Sequence, residues 1–139
     1  MDTLQDKTWW SYIEEDIKEL LIESQMLLEK AGIWEEKFHD YAFAVFPAAK
    51  AYEGFLKKLF LDLGFISQDD YYGKRFRVGK ALNPSLEAKF RQESIYDKLV
   101  NFCGGNLLAD KLWETWKLSR NLLFHWFPRE TNAITLPEA

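Results

Sequence analysis

Apolar residues recur every three or four positions over two long stretches of the chain, the spacing that is typical of amphipathic helices. The first stretch covers residues 9–30, and Gly32 follows it in the position just past a last helical turn. The second stretch covers residues 34–63 and contains Pro47. Because proline clashes with the carbonyl group four residues earlier, the pattern predicts a kink or a break at Pro47.

The middle of the chain has no such periodicity. Residues 64–84 contain three glycines, a proline and evenly spread polar residues, which predicts a loop, with a short extended piece over 76–78. Helical spacing returns over residues 85–102, less regularly than before, and two consecutive glycines close that stretch.

A final helix is predicted after these glycines. Asn106 can cap its beginning, the apolar stripe continues to Phe127, and Pro128 ends it. The tail 129–139 is extended in character and ends without a recognisable stop signal, as in a fragment of a longer chain.

These elements together predict an all-α fold. Four or five helices, with a long loop between the second and third main helices and no strand alternation, are typical of a helical bundle. No domain boundary is visible, so we expect one domain over residues 1–139. Its parts are an N-terminal helix 9–30, a core 34–127 and the tail.

Composition narrows the class of protein. A hydrophobic share of 47%, with only 7 Gly and 4 Pro, excludes disordered and fibrous chains. The single cysteine, Cys103, excludes a disulfide framework and suits a reducing compartment. The longest apolar run, residues 41–49, is shorter than the roughly 18 residues of a membrane helix. We therefore expect a cytoplasmic protein that does not enter the membrane.

Two kinds of cofactor site are missing from the sequence. No glycine-rich phosphate loop is present, and two histidines 86 positions apart with one cysteine give no metal-ligand spacing. No cofactor and no bound metal are expected.

The net charge of −4 is unevenly distributed. Residues 1–40 hold 4 Lys/Arg against 11 Asp/Glu, whereas residues 71–91 hold six basic side chains against Glu87 alone. An isolated basic run is most often a solvated loop, but aromatic residues are interleaved here, which suits contact with phosphates and bases. The candidates for such contact are Lys74, Arg75, Arg77 and Lys80.

The candidate chemistry lies in the final predicted helix, around His125. A histidine among aromatic residues is most often a core or helix-end residue, but three features favour a functional role. The negative end of a helix dipole stabilises protonated His125, Asn121 lies four residues earlier and can orient the imidazole, and Arg120 suits phosphate contacts. On an ideal helix Arg120 and His125 are about 140° apart, so their convergence needs local distortion, a partner helix or a second subunit.

The Arg120-x4-His125 spacing resembles the Arg-x(4–6)-His motif of HEPN domains, with a polar residue, Asn121, directly after the arginine. The chain is also similar, over residues 34–136, to the C-terminal HEPN domain of the RNase LS toxin family. That domain carries a basic residue and a glutamate three positions apart on an earlier helix, and Lys50 and Glu53 fit this pattern. Lys50 occupies the place where arginine is expected. Without the motif, such a pair reads as an ordinary surface ion pair.

The resemblance implies a metal-independent endoribonuclease, as in bacterial toxins and anti-phage defence. The 2′-hydroxyl of the RNA substrate attacks the adjacent phosphate, with His125 as general acid or base and Arg120 as the charge that stabilises the phosphorane. Glu53 either holds the tautomer of His125 or takes the 2′-hydroxyl proton. Lys50 adds positive charge for binding the phosphate, and Asn121 orients the imidazole of His125. The basic segment 74–80 follows the RNA.

The resemblance also implies a homodimer and a possible antitoxin or inhibitor protein as a partner. Two other hypotheses stay open. One is a non-catalytic HEPN module for dimerisation or inhibitor binding. The other is an unrelated helical interaction domain, which burial of Arg120 and His125 in separate places would favour.

Overall fold

A computed structural model describes residues 3–139, and the regular secondary structure in this range is helical. The predicted all-α class is therefore confirmed. The α-helices are α1 (Glu15–Ile33), α2 (Ala42–Asp62), α3 (Gln68–Tyr72), α4 (Val78–Leu82), α5 (Ile95–Cys103) and α6 (Leu107–Trp116). Short 3₁₀ helices cover Leu4–Asp6, Ala88–Glu93 and Pro128–Glu130, and a π-helical turn covers Lys117–Asn121. Between residues 3 and 139, no helix is long and apolar enough to cross a membrane.

The chain forms two compact units. The first unit comprises the described part of Met1–Phe55 together with Leu123–Ala139, and the second unit comprises Leu56–Leu122. Helix α2 contributes residues to both units. Neither glycine nor proline stands at the two junctions between the units, Phe55–Leu56 and Leu122–Leu123. One domain over residues 1–139 stays a prediction.

In the first unit, α1 packs against α2 through a small apolar core. Ile13, Ile17 and Ala51 are buried there. Gly54 makes the contact close, because a Cβ atom at that position would lie 3.1 Å from Cδ1 of Ile17. Helix α1 begins at Glu15 rather than near residue 9, because the acidic residues of its first turn favour a helix N-terminus there. Of the apolar residues before it, Ile13 is buried from the preceding turns, whereas Trp9 and Tyr12 are exposed.

Helix α2 is continuous through Pro47, where a kink or a break was predicted. Pro47 has no amide to donate to the carbonyl of the residue four positions earlier. Ser24, a buried residue of α1, bonds to the same turn of α2: its hydroxyl donates to the Ala44 carbonyl and accepts from the Ala48 amide at 3.3 Å. The neighbouring helix therefore supplies polar partners where proline weakens the helical ladder.

Residues 34–41, predicted as helix, are not helical and hold the C-terminal tail. Oδ1 of Asp40 accepts from the Ala42 amide at 3.0 Å and from the Ile134 amide at 3.3 Å. The Tyr41 amide donates to the Ile134 carbonyl at 3.0 Å. The tail is thus anchored in extended form near Ile134, although it begins with a 3₁₀ turn.

In the second unit, α4, α5 and α6 pack against one another around buried residues that include Leu82, Ile95, Leu99 and Trp116. Part of the predicted loop 64–84 is helical, in α3 and α4. Each of these helices has only five residues, too few for a periodic pattern to reveal.

The predicted helix 85–102 divides at Ser94. Its first part is the 3₁₀ helix, and α5 begins after Ser94, whose buried hydroxyl caps the Asp97 amide at 3.1 Å. Arg91 joins the two parts, since its Nε and Nη2 atoms lie 2.7 and 2.8 Å from the carboxylate oxygens of Asp97. Arg91 also donates to the Pro84 carbonyl at 2.7 Å, so this member of the basic run has a structural role.

Candidate active site and nucleic-acid interface

The helix that carries Arg120 ends at Asn121, six residues before the predicted end at Phe127. Helix α6 passes into the π-helical turn Lys117–Asn121, and turns and bends follow. The hydroxyls of Thr115 and Ser119 donate to the carbonyls four residues earlier, a pattern that often bends helices. A π-helical turn is also a frequent feature of functional sites. The predicted continuous final helix is therefore wrong beyond Asn121.

Arg120 belongs to the second unit and is half-buried. Its guanidinium carbon lies 4.7 Å from the centre of the Trp116 ring, and Trp116 is itself buried. A cation–π contact of this kind restricts the guanidinium through its flat face. Asn121 follows Arg120 as the last residue of the same turn.

His125 belongs to the first unit and is exposed. Its carbonyl accepts a hydrogen bond from Nδ2 of Asn132 at 2.7 Å, which fixes the backbone that presents the imidazole. Because the helix ends at Asn121, His125 does not lie at a helix terminus, and helical spacing does not bring Asn121 to its imidazole. Both expectations from the sequence are therefore wrong.

Lys50 and Glu53 lie on α2 in the first unit. Lys50 is exposed and Glu53 is half-buried. Residues three apart share one face of a helix, so the two side chains have the common side that the sequence predicts. Ala49 and Ala51 beside them are buried and hold this part of α2 in the core.

Three of the four predicted basic residues line a cleft on the second unit. They are Arg75, Arg77 and Lys80, and the volume of the cleft is about 380 Å³. Lys74 lies next to this lining, and its carbonyl accepts from Nη1 of Arg77 at 2.6 Å. The Lys80 ammonium lies 3.6 Å from the centre of the Phe90 ring. All four basic side chains are exposed, as a surface for phosphates requires.

Sequence reasoning missed the other residues that line the cleft. Asp70 comes from α3, Glu93 from the 3₁₀ helix and Lys98 from α5. The Lys98 ammonium donates to the Phe65 carbonyl at 3.0 Å, which fixes the cleft wall. These residues have no common motif or spacing, because only the packing of the second unit brings them together. Among residues 3–139, no three His, Cys, Asp or Glu side chains are grouped as metal ligands.

Comparison with family models, with curated proteins and with solved structures found no match for this chain. The resemblance to HEPN domains rests on the motif residues described above.

Proposed function

We propose that this chain is a cytoplasmic, metal-independent endoribonuclease of HEPN type that acts as a toxin or in anti-phage defence. The observation that carries the proposal is the Arg120-x4-His125 spacing, with the helix interrupted between the two residues. On a straight helix the two side chains would point about 140° apart. The end of the helix at Asn121 removes that constraint.

The proposed reaction needs no group beyond the RNA and the protein side chains. The 2′-hydroxyl oxygen forms a bond to the adjacent phosphorus, and the bond from phosphorus to the 5′-oxygen breaks. The 2′-hydroxyl gives up its proton, and the departing 5′-oxygen takes one, with His125 acting in proton transfer. Arg120 stabilises the charge that develops on the phosphate oxygens. The products are a 2′,3′-cyclic phosphate, or its opened form, and a 5′-hydroxyl.

Exposure of the two residues supports this role over the unrelated interaction domain. That hypothesis is favoured if Arg120 and His125 are buried in separate places. Arg120 is half-buried and His125 is exposed, so the condition that both are buried is not met.

Glu53 has two proposed roles, which a pH–rate profile separates. If Glu53 takes the 2′-hydroxyl proton, Glu53→Gln removes the acidic limb of the profile because the base is gone. If Glu53 holds the tautomer of His125, the acidic limb of the profile remains and the maximal cleavage rate falls. Lys50 adds positive charge for the phosphate in either case. Asn121 helps to orient the imidazole of His125.

Substrates with a single ribose test the proposed reaction. An oligonucleotide made of deoxyribose except for one ribose should be cut only after that ribose and should yield the cyclic phosphate end. Cleavage of the all-deoxyribose control, or products with a free 3′-hydroxyl, would contradict attack by the 2′-hydroxyl.

A second candidate function, a non-catalytic HEPN-like module that dimerises, is favoured by exposed apolar side chains of the first unit. Ile33 and Trp126 are 75% and 71% exposed, and Met26 and Phe46 are about half exposed. Exposed apolar side chains are the groups that a protein partner covers. The proposed occupant is a second copy of the chain, and an antitoxin or inhibitor protein is the other possible occupant.

Light scattering distinguishes these occupants. A homodimer should have about twice the mass of 16.5 kDa, and Trp126→Ser should lower it. Tyr72→Ser, at a 79% exposed position of the second unit, is the matched control. A monomer at high micromolar concentration points to the inhibitor protein instead. RNA cleavage by the wild type would rule out the non-catalytic module.

A further inference from the structure

The cleft on the second unit has the size of a ligand site. Its volume of about 380 Å³ lies within the range of roughly 300–1,000 Å³ that is typical of small-molecule pockets. Its lining includes cationic, anionic and aromatic side chains, among them Arg75, Lys80, Glu93 and Phe76. A ligand that matches this lining carries an anionic group, hydrogen-bond donors and a flat apolar face.

The anionic group is matched by two cations. Arg75 is exposed, and among residues 3–139 its guanidinium makes no hydrogen bond or ion pair. The Lys80 ammonium lies against the Phe90 ring and has no ion pair within the same range. The two other cations of the cleft already donate to backbone carbonyls. Arg75 and Lys80 are therefore the groups available to a phosphate, which guanidinium and ammonium groups bind well.

The donors and the flat face are matched by Glu93 and Phe76. Glu93 is exposed and, in the part of the chain that the structure describes, its carboxylate has no hydrogen-bonding or ionic partner. A carboxylate accepts hydrogen bonds and repels phosphate, so the ligand must place donors there and its anionic group elsewhere. Phe76 is half-buried, and its ring contacts no other aromatic ring of residues 3–139. Such a ring suits stacking of a base.

We infer that this cleft binds a guanine nucleotide, with its phosphate at Arg75 and Lys80, its base against Phe76 and its base edge at Glu93. Guanine presents two adjacent donors, N1–H and the N2 amino group, which match the two oxygens of one carboxylate. Adenine and cytosine present one amino group beside a ring acceptor, and uracil presents one N–H between two carbonyls. The inference deepens the proposed function and rests on it for its biological meaning, since the cleft would hold one guanosine of the RNA substrate.

Calorimetric titration of the full chain with single nucleotides tests this inference. Guanosine monophosphate should bind about tenfold more tightly than adenosine or uridine monophosphate, as expected for one bidentate contact to a base edge. Glu93→Gln should reduce that preference to less than about threefold. Arg75→Gln should weaken all three nucleotides alike. Glu36→Gln, at an exposed position of the first unit, is the matched control and should change nothing.

Three results would overturn the inference: equal affinity for the three nucleotides, an unchanged guanine preference in Glu93→Gln, or inorganic phosphate binding as tightly as guanosine monophosphate. The wild-type titration alone decides the first and third, so the inference does not depend on the folding of a variant. Failure of the proposed function has a different signature. If the chain cuts RNA but does not bind the nucleotide, only the inference fails. If it binds the nucleotide but does not cut RNA, only the proposed function fails.

Discussion

Gly79 lies against the indole of the buried Trp116, and this contact leaves no room for a side chain. A Cβ atom at Gly79 would be 2.6 Å from Nε1 and 3.0 Å from Cε2 of Trp116. Gly79→Ala should therefore lower the free energy of unfolding by about 1–3 kcal/mol, the usual cost of overpacking. Urea denaturation measures this, with Gly105→Ala as control because nothing lies within 4 Å of its Cβ position. Equal stability of the two variants would contradict the contact.

Tyr96 joins α5 to α6 by a hydrogen bond from its hydroxyl to Oδ1 of Asp110, at 2.5 Å. This bond, followed by burial and by the Asp110 charge, raises the pKa of Tyr96 above its usual value of 10.0. A raised folded-state pKa gives stability that is fully present below the unfolded pKa and is lost as the pH rises through the folded pKa. Tyr96→Phe should cost about 1 kcal/mol at pH 7.

The pH dependence of that cost is the sharper measurement. The difference in unfolding free energy between the wild type and Tyr96→Phe should shrink above pH 10, as Tyr96 loses the proton that it donates. A difference that stays constant through pH 11 would show that this bond does not contribute to stability.

At the scale of elements, the contact between α1 and the proline-containing turn of α2 predicts an energetic coupling. Ser24→Ala leaves the Ala44 carbonyl and the Ala48 amide without the hydroxyl that bonds both, and should cost about 1–3 kcal/mol. Pro47→Ala returns an amide that can donate to the Phe43 carbonyl, which strengthens this turn of the helix. The cost of Ser24→Ala should therefore be smaller when Pro47→Ala is present.

A double-mutant cycle measures this coupling. Ser11→Ala, at an exposed serine of the first unit, is the matched control and should show no coupling to Pro47→Ala. Additive effects of Ser24→Ala and Pro47→Ala would mean that the hydroxyl does not compensate for the proline.

The basic segment predicts a salt-dependent interaction with RNA. A triple variant that changes Lys74, Arg75 and Lys80 to Ser should bind every single-stranded RNA more weakly. The slope of the logarithm of its binding constant against the logarithm of the salt concentration should become shallower by about 0.7 for each phosphate that the variant no longer neutralises. Arg77 is kept because it supports the Lys74 carbonyl. The control changes Lys30, Lys37 and Lys111, which are also exposed. If both triple variants keep the wild-type slope, the basic segment does not follow the RNA.

Periodicity predicted the existence of the long helices but not their limits. The apolar stripe that continues to Phe127 is that of a helix. However, the hydroxyls of Thr115, just before the π-helical turn, and of Ser119, within it, bond back to the helix, which ends at Asn121. The candidate motif was visible because its residues are close in the sequence. The sequence predicted only part of the cleft lining. The basic residues form a run in the sequence, whereas Glu93 reaches the cleft only through packing.

At the scale of the whole molecule, charge divides between the two units. The second unit, residues 56–122, holds 12 Lys/Arg against 8 Asp/Glu, while the remaining sequence holds 6 against 14. A net charge of −4 for the chain conceals this difference. Positive potential on one unit attracts a polyanion despite an acidic total, so the net charge does not argue against RNA as a substrate.

RNA cleavage by histidine variants is the decisive measurement for the proposed role of His125. The chain has two histidines, His39 and His125, and both are exposed, so His39→Ala is a matched control for His125→Ala. With a generic single-stranded RNA in EDTA, the wild type and His39→Ala should cut at the same rate. His125→Ala should be slower by about 10²–10⁴-fold, the usual contribution of a general acid or base, with unchanged thermal unfolding. Equal cleavage by the two variants, or no cleavage by the wild type in EDTA, would contradict the account.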